Sequence, residues 1–339
     1  MNAPGTILVH EYVTGGGWPR LPDMPGLAGL GATILRAVLA DMRALGPARL
    51  MTTTDARLPL PDLEADTIVR LTPDSHVAGF AALAAAAEAV LVVAPEEGGI
   101  LAALSEIVLA VGSRLLGSLP EGVRAAGDKW ACRQRLREAG LPLPEGVLAA
   151  PRQAGSAARD LGFPLVAKIV DGQGGGGVCL ARDAAELDAA LALLGEDTPL
   201  VLERYHQGTH ASVSVMAAAS GAVPLCLNGQ DIRPGIPFAY RGGVTPLDHP
   251  EAPAALALAA RAVRAIPGLR GFVGVDMVLG EQGCRLIEIN PRVTVAYAGV
   301  RQVIATNLAQ VLLQACLDDR LPAGLETRGK AVFCPGEAP

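Results

Sequence analysis

Through the first third of the chain, short apolar runs alternate with stretches whose apolar positions recur at helical spacing. Ile7–His10, Arg49–Thr53, Thr67–Leu71 and the unbroken apolar run Ala89–Ala94 predict strands, and Gly31–Leu45, Val77–Glu88 and Leu101–Val111 predict helices. Regular alternation of this kind predicts an open parallel sheet with helices on both faces, an α/β N-terminal domain spanning residues 1–118. Ligands of such sheets bind beyond the carboxyl ends of the strands. Two loops lie there, Glu11–Pro19 (EYVTGGGWP) and Pro95–Gly99 (PEEGG).

Near residue 120 the pattern changes. Asp128 can cap a helix running to Ala139, which Gly140 and Pro142 end. Leu165–Val170, Val178–Ala181, Leu200–Glu203, Ser212–Ala218, Val223–Asp231, Phe272–Leu279 and Arg285–Asn290 read as strands, and most follow one another as hairpins. Asp183–Leu194, Ala252–Ile266 and Val300–Leu317 read as helices. The second half is therefore expected to be α+β with antiparallel sheets, ending in a loose Gly- and Pro-rich tail after Leu321.

Composition narrows the function classes. The 339 residues are 50% hydrophobic and 18% charged, enough for a sizeable core and too apolar for a disordered chain. The net charge is -6 and no basic tract is present, which argues against nucleic acid as a partner. The longest apolar stretch, Ala81–Pro95, contains Glu88 and is too short to span a bilayer, so no membrane association is expected. The chain enters its first strand without a leader, and its six scattered cysteines form no C-x-x-C pair; a cytoplasmic protein with reduced thiols is expected. Of the 28 basic residues only three are lysines, Lys129, Lys168 and Lys330, so lysine stands out where it occurs.

Two common phosphate-binding motifs fail. Gly15–Gly17 follows the first strand, but the third glycine of a dinucleotide fingerprint would fall on Arg20. Gly324–Gly329–Lys330 lacks the hydroxyl after its lysine, where Ala331 stands. A third arrangement holds together. Lys168 ends an apolar strand, and Asp171–Gly177 (DGQGGGG) follows, a loop whose backbone N–H groups can approach phosphate oxygens. Glu288 and Asn290 are two apart on one predicted strand and face the same way, and antiparallel pairing can bring Asp276 alongside. Three oxygen donors on one face suit Mg2+.

Taken together, these residues resemble the ATP-grasp superfamily of carboxylate–amine ligases, over about Leu119–Leu317. The parts that carry the resemblance are D-K-W at Asp128–Trp130, LVAKIVDGQGGGGV at Leu165–Val178, LVLERYHQGTHASVSV at Leu200–Val215, the strand Val275–Val278 and E-I-N-P-R at Glu288–Arg292. The resemblance implies a small lobe over 119–204, a C-terminal lobe over 205–320 and a tail over 321–339, with ATP and Mg2+ as cofactors. It implies that Lys129 and Lys168 contact the phosphates and that Gly174, Gly175, Gly176 and Gly177 fold over them. Glu203, Arg204 and Tyr205 would meet adenine, with Met277 and Ile287 on its faces. Asp276, Glu288 and Asn290 would hold the metal, and Arg292, with Lys168, would act in catalysis. His210 stands where the ribose-binding residue is usually acidic. The segments Ile7–Gly17, Asn228–Gln230 and Tyr240–Pro246 further resemble the tyramine–glutamate ligase group of methanofuran biosynthesis, whose bacterial relatives are implicated in an analogous one-carbon cofactor. That resemblance makes Glu11, Asn228, Arg241 and Gly242 candidate substrate residues, with Arg241 in a loop between the lobes. The expected partners are a small carboxylate and an amine, with a homodimer as the candidate assembly. A ligase of another pathway, such as a D-alanine–D-alanine-type enzyme or a carboxylase component, and a non-catalytic nucleotide-binding protein remain the alternatives.

Overall fold

The structure, a computed structural model, describes residues 4–19, 25–59, 62–171, 177–195 and 197–334. The N-terminal part runs β1 (Thr6–Glu11), α1 (Pro25–Arg43), β2 (Arg49–Asp55), β3 (Thr67–Leu71), α2 (Pro73–Ala86), β4 (Ala89–Val93), α3 (Ile100–Ala110) and β5 (Arg114–Leu115). Its five strands are all parallel, in the order β3-β2-β1-β4-β5. β1 and β4 are central and covered on both faces, which is why they read as continuous apolar runs.

Two helices follow, α4 (Pro120–Gly127) and α5 (Lys129–Glu138). Asp128 caps α5 by accepting from Ala131 N at 2.8 Å, the kind of cap that contributes about 1 kcal/mol. It fixes Lys129 at the first helical position. A four-stranded antiparallel sheet is then built from β6 (Gly146–Ala149), β7 (Leu165–Ile169), β8 (Val178–Ala181) and β9 (Leu200–Arg204), in the order β6-β9-β7-β8, with α6 (Ala154–Leu161) and α7 (Ala184–Leu194) against it.

The remainder forms β10 (Thr209–Ala218), β11 (Gly221–Arg233), β12 (Ala239–Thr245), α8 (Ala252–Arg264), β13 (Gly271–Gly280), β14 (Gly283–Asn290), α9 (Ala296–Val303), α10 (Leu308–Asp318) and β15 (Ala331–Phe333). The six strands order as β14-β13-β10-β11-β12-β15. Alternation along β10 sorts the sheet's two faces. Ala211, Val213, Val215 and Ala217 pack in one cluster with α8, while Ser212 and Ser214 point to the other face. A further core joins α1 to α9 and α10 and includes Leu39, Met42, Tyr297 and Leu312. Asp41 of α1 ties this junction: it accepts from Tyr297 Oη at 2.8 Å and from Arg301 Nε and Nη2 at 2.9 and 2.6 Å.

Three local readings are corrected. The single helix expected over Val300–Leu317 is two, because Asn307 turns the chain. Its Oδ1 caps α10 at Gln310 N (3.1 Å) and its Nδ2 donates to Asp41 O (2.9 Å). Arg241 and Gly242 lie on strand β12 rather than in a loop. Gly242 has φ +119°, and a Cβ there would sit 2.4 Å from Phe333 O, so its missing side chain admits β15. The tail after Leu321 is not wholly loose, since Ala331 and Phe333 are buried and β15 pairs with β12.

Candidate active site

The strand register brings four polar side chains into one row. Glu288 of β14 is the direct partner of Asp276 on β13, Asp276 of Ser212 on β10, and Ser212 of Asn228 on β11. Paired residues of antiparallel strands share a face. The register shifts beyond Asp276, whose neighbour Met277 pairs with Leu286, so Ile287 is the extra residue of a β-bulge. Asp276 Oδ1 accepts from Gln230 Nε2 at 3.0 Å and its Oδ2 from Asn290 Nδ2 at 2.9 Å. Burial, and then the neighbouring Glu288 charge, push the Asp276 carboxyl up to about 6.

Cations approach this row from other elements. Lys129, at the start of α5, places Nζ 3.1 Å from Glu288 Oε1. Burial by itself would lower the Lys129 pKa, but Glu288, Glu96 and Asp171 outweigh it and hold the ammonium charged. Arg292, just past β14, pairs through Nε with Glu96 Oε1 at 2.9 Å. Glu96 belongs to the PEEGG loop beyond β4. In the same loop Gly98 N donates to both carboxylate oxygens of Asp171 at 3.2 and 3.1 Å. Burial, and then Asp171, raise the pKa of the adjacent Glu97. The carboxyl end of the parallel sheet thus meets both later sheets at the place where the sequence put a ligand loop.

Lys168, on β7, makes a different contact. Its Nζ lies 2.5 Å from Glu203 Oε2, and Arg133 Nη1 lies 2.9 Å from Glu203 Oε1. All three side chains are buried, at 6–8% exposure. Arg133 also donates to Pro144 O.

The remaining candidates disperse. The Arg204 and Tyr205 N–H groups donate to Glu145 O and Pro164 O, and the exposed Arg204 side chain pairs with Glu145. Met277 is buried in the cluster with α8, on the face away from Asp276. His210 is half-buried on β10, its ring 6.2 Å from that of Phe238, and burial lowers its pKa. Asn228 is fully buried; its Nδ2 donates to Ser212 and Ser214, and its Oδ1 has no partner among the described residues. Glu11 turns its carboxylate onto its own chain, accepting from Val13 N and from Thr14 N and Oγ1 at 3.2, 2.7 and 2.6 Å. Arg241 is exposed. Gly174, Gly175 and Gly176 lie outside the described residues, and Gly177 precedes β8.

Sequence reading missed Arg133, Glu96 and Gln230 as parts of this constellation. Each carried a signal. Arg133 is four residues after Lys129 on one helix face, Glu96 sits in the ligand-side loop, and Gln230 shares a strand face with Asn228. As for a metal, Asp276, Glu288 and the Asn290 carboxamide are hard oxygen donors gathered on one face. The Glu288 charge raises the Asp276 pKa, and a cation between the two carboxylates would offset that repulsion. The donor set fits Mg2+.

Residues 126–296, half of the chain, match the ATP-grasp domain family, and residues 48–123 match the pre ATP-grasp 3 domain. The chain is 27% identical over 231 residues to a tyramine--L-glutamate ligase of Methanocaldococcus jannaschii, covering 68% of this chain and 63% of that protein. It is 26% identical over 241 residues to a chloroplastic biotin carboxylase of Populus trichocarpa, covering 66% of this chain and 45% of that protein. It therefore spans less than two thirds of the length of either relative. Among solved structures, biotin carboxylase from Campylobacter jejuni superposes with a TM-score of 0.75 at 19% identity, over 98% of this chain and 75% of that one. N5-carboxyaminoimidazole synthetase from Staphylococcus aureus does so with a TM-score of 0.72 at 15% identity, over 97% and 82%. At these identities the likeness is one of fold.

Proposed function

The chain belongs to the ATP-grasp family, and on that premise we propose that it is an ATP-dependent ligase joining a carboxylate to an amine through an acyl phosphate. The observation that carries this reading is the 3.1 Å approach of Lys129 to Glu288. It sets a candidate phosphate lysine of α5 against a candidate metal carboxylate of β14, on the face that Asp276 and Asn290 share.

The chemistry follows from charge. A carboxylate and the γ-phosphate of ATP repel one another, and in-line attack requires that repulsion to be offset by fixed positive groups. Lys129 and Lys168 would bind and orient the phosphates, and Arg292, steadied by Glu96, would stabilise charge on the transferring group. Asp276, Glu288 and Asn290 would hold Mg2+, which supplies charge neutralisation across the phosphate oxygens. Glu203, Arg204, Tyr205, His210 and Ile287 are the proposed surroundings of the nucleoside. Asn228, whose buried Oδ1 has no partner among the described residues, is the proposed acceptor for an N–H of the amine. Arg241 is the proposed partner of a substrate carboxylate, beside the close-packed Gly242, and Glu11 shapes the turn that borders the site.

Glutamate as the acid and tyramine as the amine are the first choice, in the making of a one-carbon cofactor of the methylofuran type. The 27% identical archaeal ligase supports that choice. The similar identity to biotin carboxylase favours one second reading, a carboxylase component in which bicarbonate is the acid. ADP release measured with ATP and Mg2+ over a panel of amino acids, bicarbonate and aromatic amines separates them. The proposal expects release that requires glutamate and an amine together, with amide product by mass. Release driven by bicarbonate, or product phosphorylated without amide formation, overturns it.

A further inference from the structure

Glu203 sits between two buried cations, and only one of them was expected. Arg133 is on α5, one turn after Lys129, and its guanidinium is held by Glu203 Oε1 at 2.9 Å and by the Pro144 carbonyl. The fold keeps room for this contact. Gly146 of β6 is the strand partner of Glu203, and a Cβ at Gly146 would lie 2.8 Å from Leu202 O, 2.9 Å from Glu203 Cγ and 3.2 Å from Arg133 Cζ. A planar guanidinium fixed at two points is a rigid counter-charge, unlike a lysine on its flexible stem.

A buried carboxylate with a single cation holds that cation tightly, because separation leaves an unpaired charge away from water. If Lys168 were the sole partner of Glu203, turning its ammonium toward a phosphate would incur that penalty. With Arg133 in place Glu203 stays neutralised while Lys168 moves. We propose that Arg133 is a positioning residue that frees Lys168 for the ATP phosphates by holding Glu203 in its stead. The inference rests on the reading of Lys168 as a phosphate ligand and adds a residue to it.

Calorimetric titration of the full chain with Mg–ATP, and separately with adenosine, tests it, with thermal melts to establish folding. Lys168→Met is expected to weaken ATP by about tenfold or more and leave adenosine unchanged, as loss of a charged contact to phosphate should. Arg133→Met is expected to weaken ATP by about tenfold, again sparing adenosine, because Glu203 then retains Lys168. Adding Glu203→Gln to Arg133→Met removes the stranded anion and should restore ATP affinity to that of Glu203→Gln alone. Arg133→Lys should keep most of the affinity. Should Arg133→Met fail to fold, the comparison of Glu203→Gln with the double variant decides the matter. If Arg133→Met still weakens ATP in the Glu203→Gln background, Arg133 does not act through Glu203 and the inference is overturned. A folded Arg133→Met that binds ATP like the parent overturns it as well. Unchanged ATP affinity in Lys168→Met would instead remove the phosphate reading of Lys168, and the inference with it.

Discussion

Asp41 and Glu203 are both buried carboxylates held by two side chains, at 6% and 5% exposure, and their surroundings differ in sign. Asp41 takes a neutral phenol, Tyr297, and one guanidinium, Arg301, which is 30% exposed. Burial, and then Asp41 itself, raise the Tyr297 pKa well above its ordinary value, so the phenol stays neutral and the cluster's charges balance. Glu203 takes two cations, both nearly inaccessible to water, and its cluster carries a surplus positive charge. A balanced buried pair is complete as it stands. A surplus cation in a dry place is stabilised by a further anion. The contrast separates a joint between α1 and α9 from the cluster proposed to meet phosphate, a distinction that burial and hydrogen bonding alone do not draw.

The strongest test of the contrast lies on the face that carries the proposed metal ligands. Glu288→Gln keeps the shape of the side chain and the fold while removing a carboxylate from both Lys129 and the proposed Mg2+. Turnover is expected to fall by about a thousandfold, roughly 4 kcal/mol of transition-state stabilisation, with little change in melting temperature. Near-normal ADP release at ordinary magnesium would end the assignment. Asp41→Ala should do the reverse. It strands Arg301, which can partly hydrate, so about 3 kcal/mol of stability is expected to be lost. Specific activity of the folded fraction should be preserved, and a denaturant titration paired with an activity assay on the same samples reads both quantities. Lys168→Met is expected to lower the rate by about a hundredfold, near 2.7 kcal/mol, while leaving the melting temperature close to that of the parent. If it unfolds the protein and the surviving fraction is fully active, the Glu203 cluster is a structural joint like that of Asp41 and the contrast fails.

The sequence made one half of this contrast legible. Lys168, Glu203, Asp276, Glu288 and Asn290 sit in short strings whose order and spacing carry their own signal, and period-two alternation put Glu288 and Asn290 on one face. The parallel sheet was equally plain, because strands covered on both faces must be apolar throughout. What escaped was set by distance along the chain. Arg133 and Glu203 are 70 residues apart, and Asp41 and Arg301 are 260 apart, so nothing local marks either pair. The break between α9 and α10 escaped for another reason. The apolar spacing continues across Ile304–Asn307, and Asn307 reads as a cap only once its contact with Asp41 is seen. β12 and β15 were missed because Gly242 and Gly243 look like a loop until a close strand neighbour explains them.

The smallest expected effect adds a buried polar cluster that carries no charge. In the N-terminal domain His10 Nδ1 lies 2.7 Å from Thr53 Oγ1, and His10 Nε2 lies 3.0 Å from His76 Nε2. Two ring nitrogens can share one proton only if one ring donates and the other accepts, so the acceptor ring must be neutral at that nitrogen. Both rings pack on aromatic neighbours, Phe80 against each and Tyr12 edge-on to His76. Burial, and then His76, hold the His10 pKa well below its ordinary value, and burial lowers that of His76. The unfolded chain binds protons at these rings below about pH 6.5, where the folded one does not. Their contribution to stability is therefore complete above about pH 6.5 and is lost as pH falls from there toward the depressed folded values. Melting temperature should drop between pH 7.5 and 5.5. His76→Gln, which can still hydrogen-bond His10 but does not titrate, should drop less over the same interval while starting lower. Carboxylates elsewhere add to the acid slope in both proteins alike, so the difference between the two slopes isolates the pair. Parallel slopes would show that the histidines are hydrated enough to titrate normally.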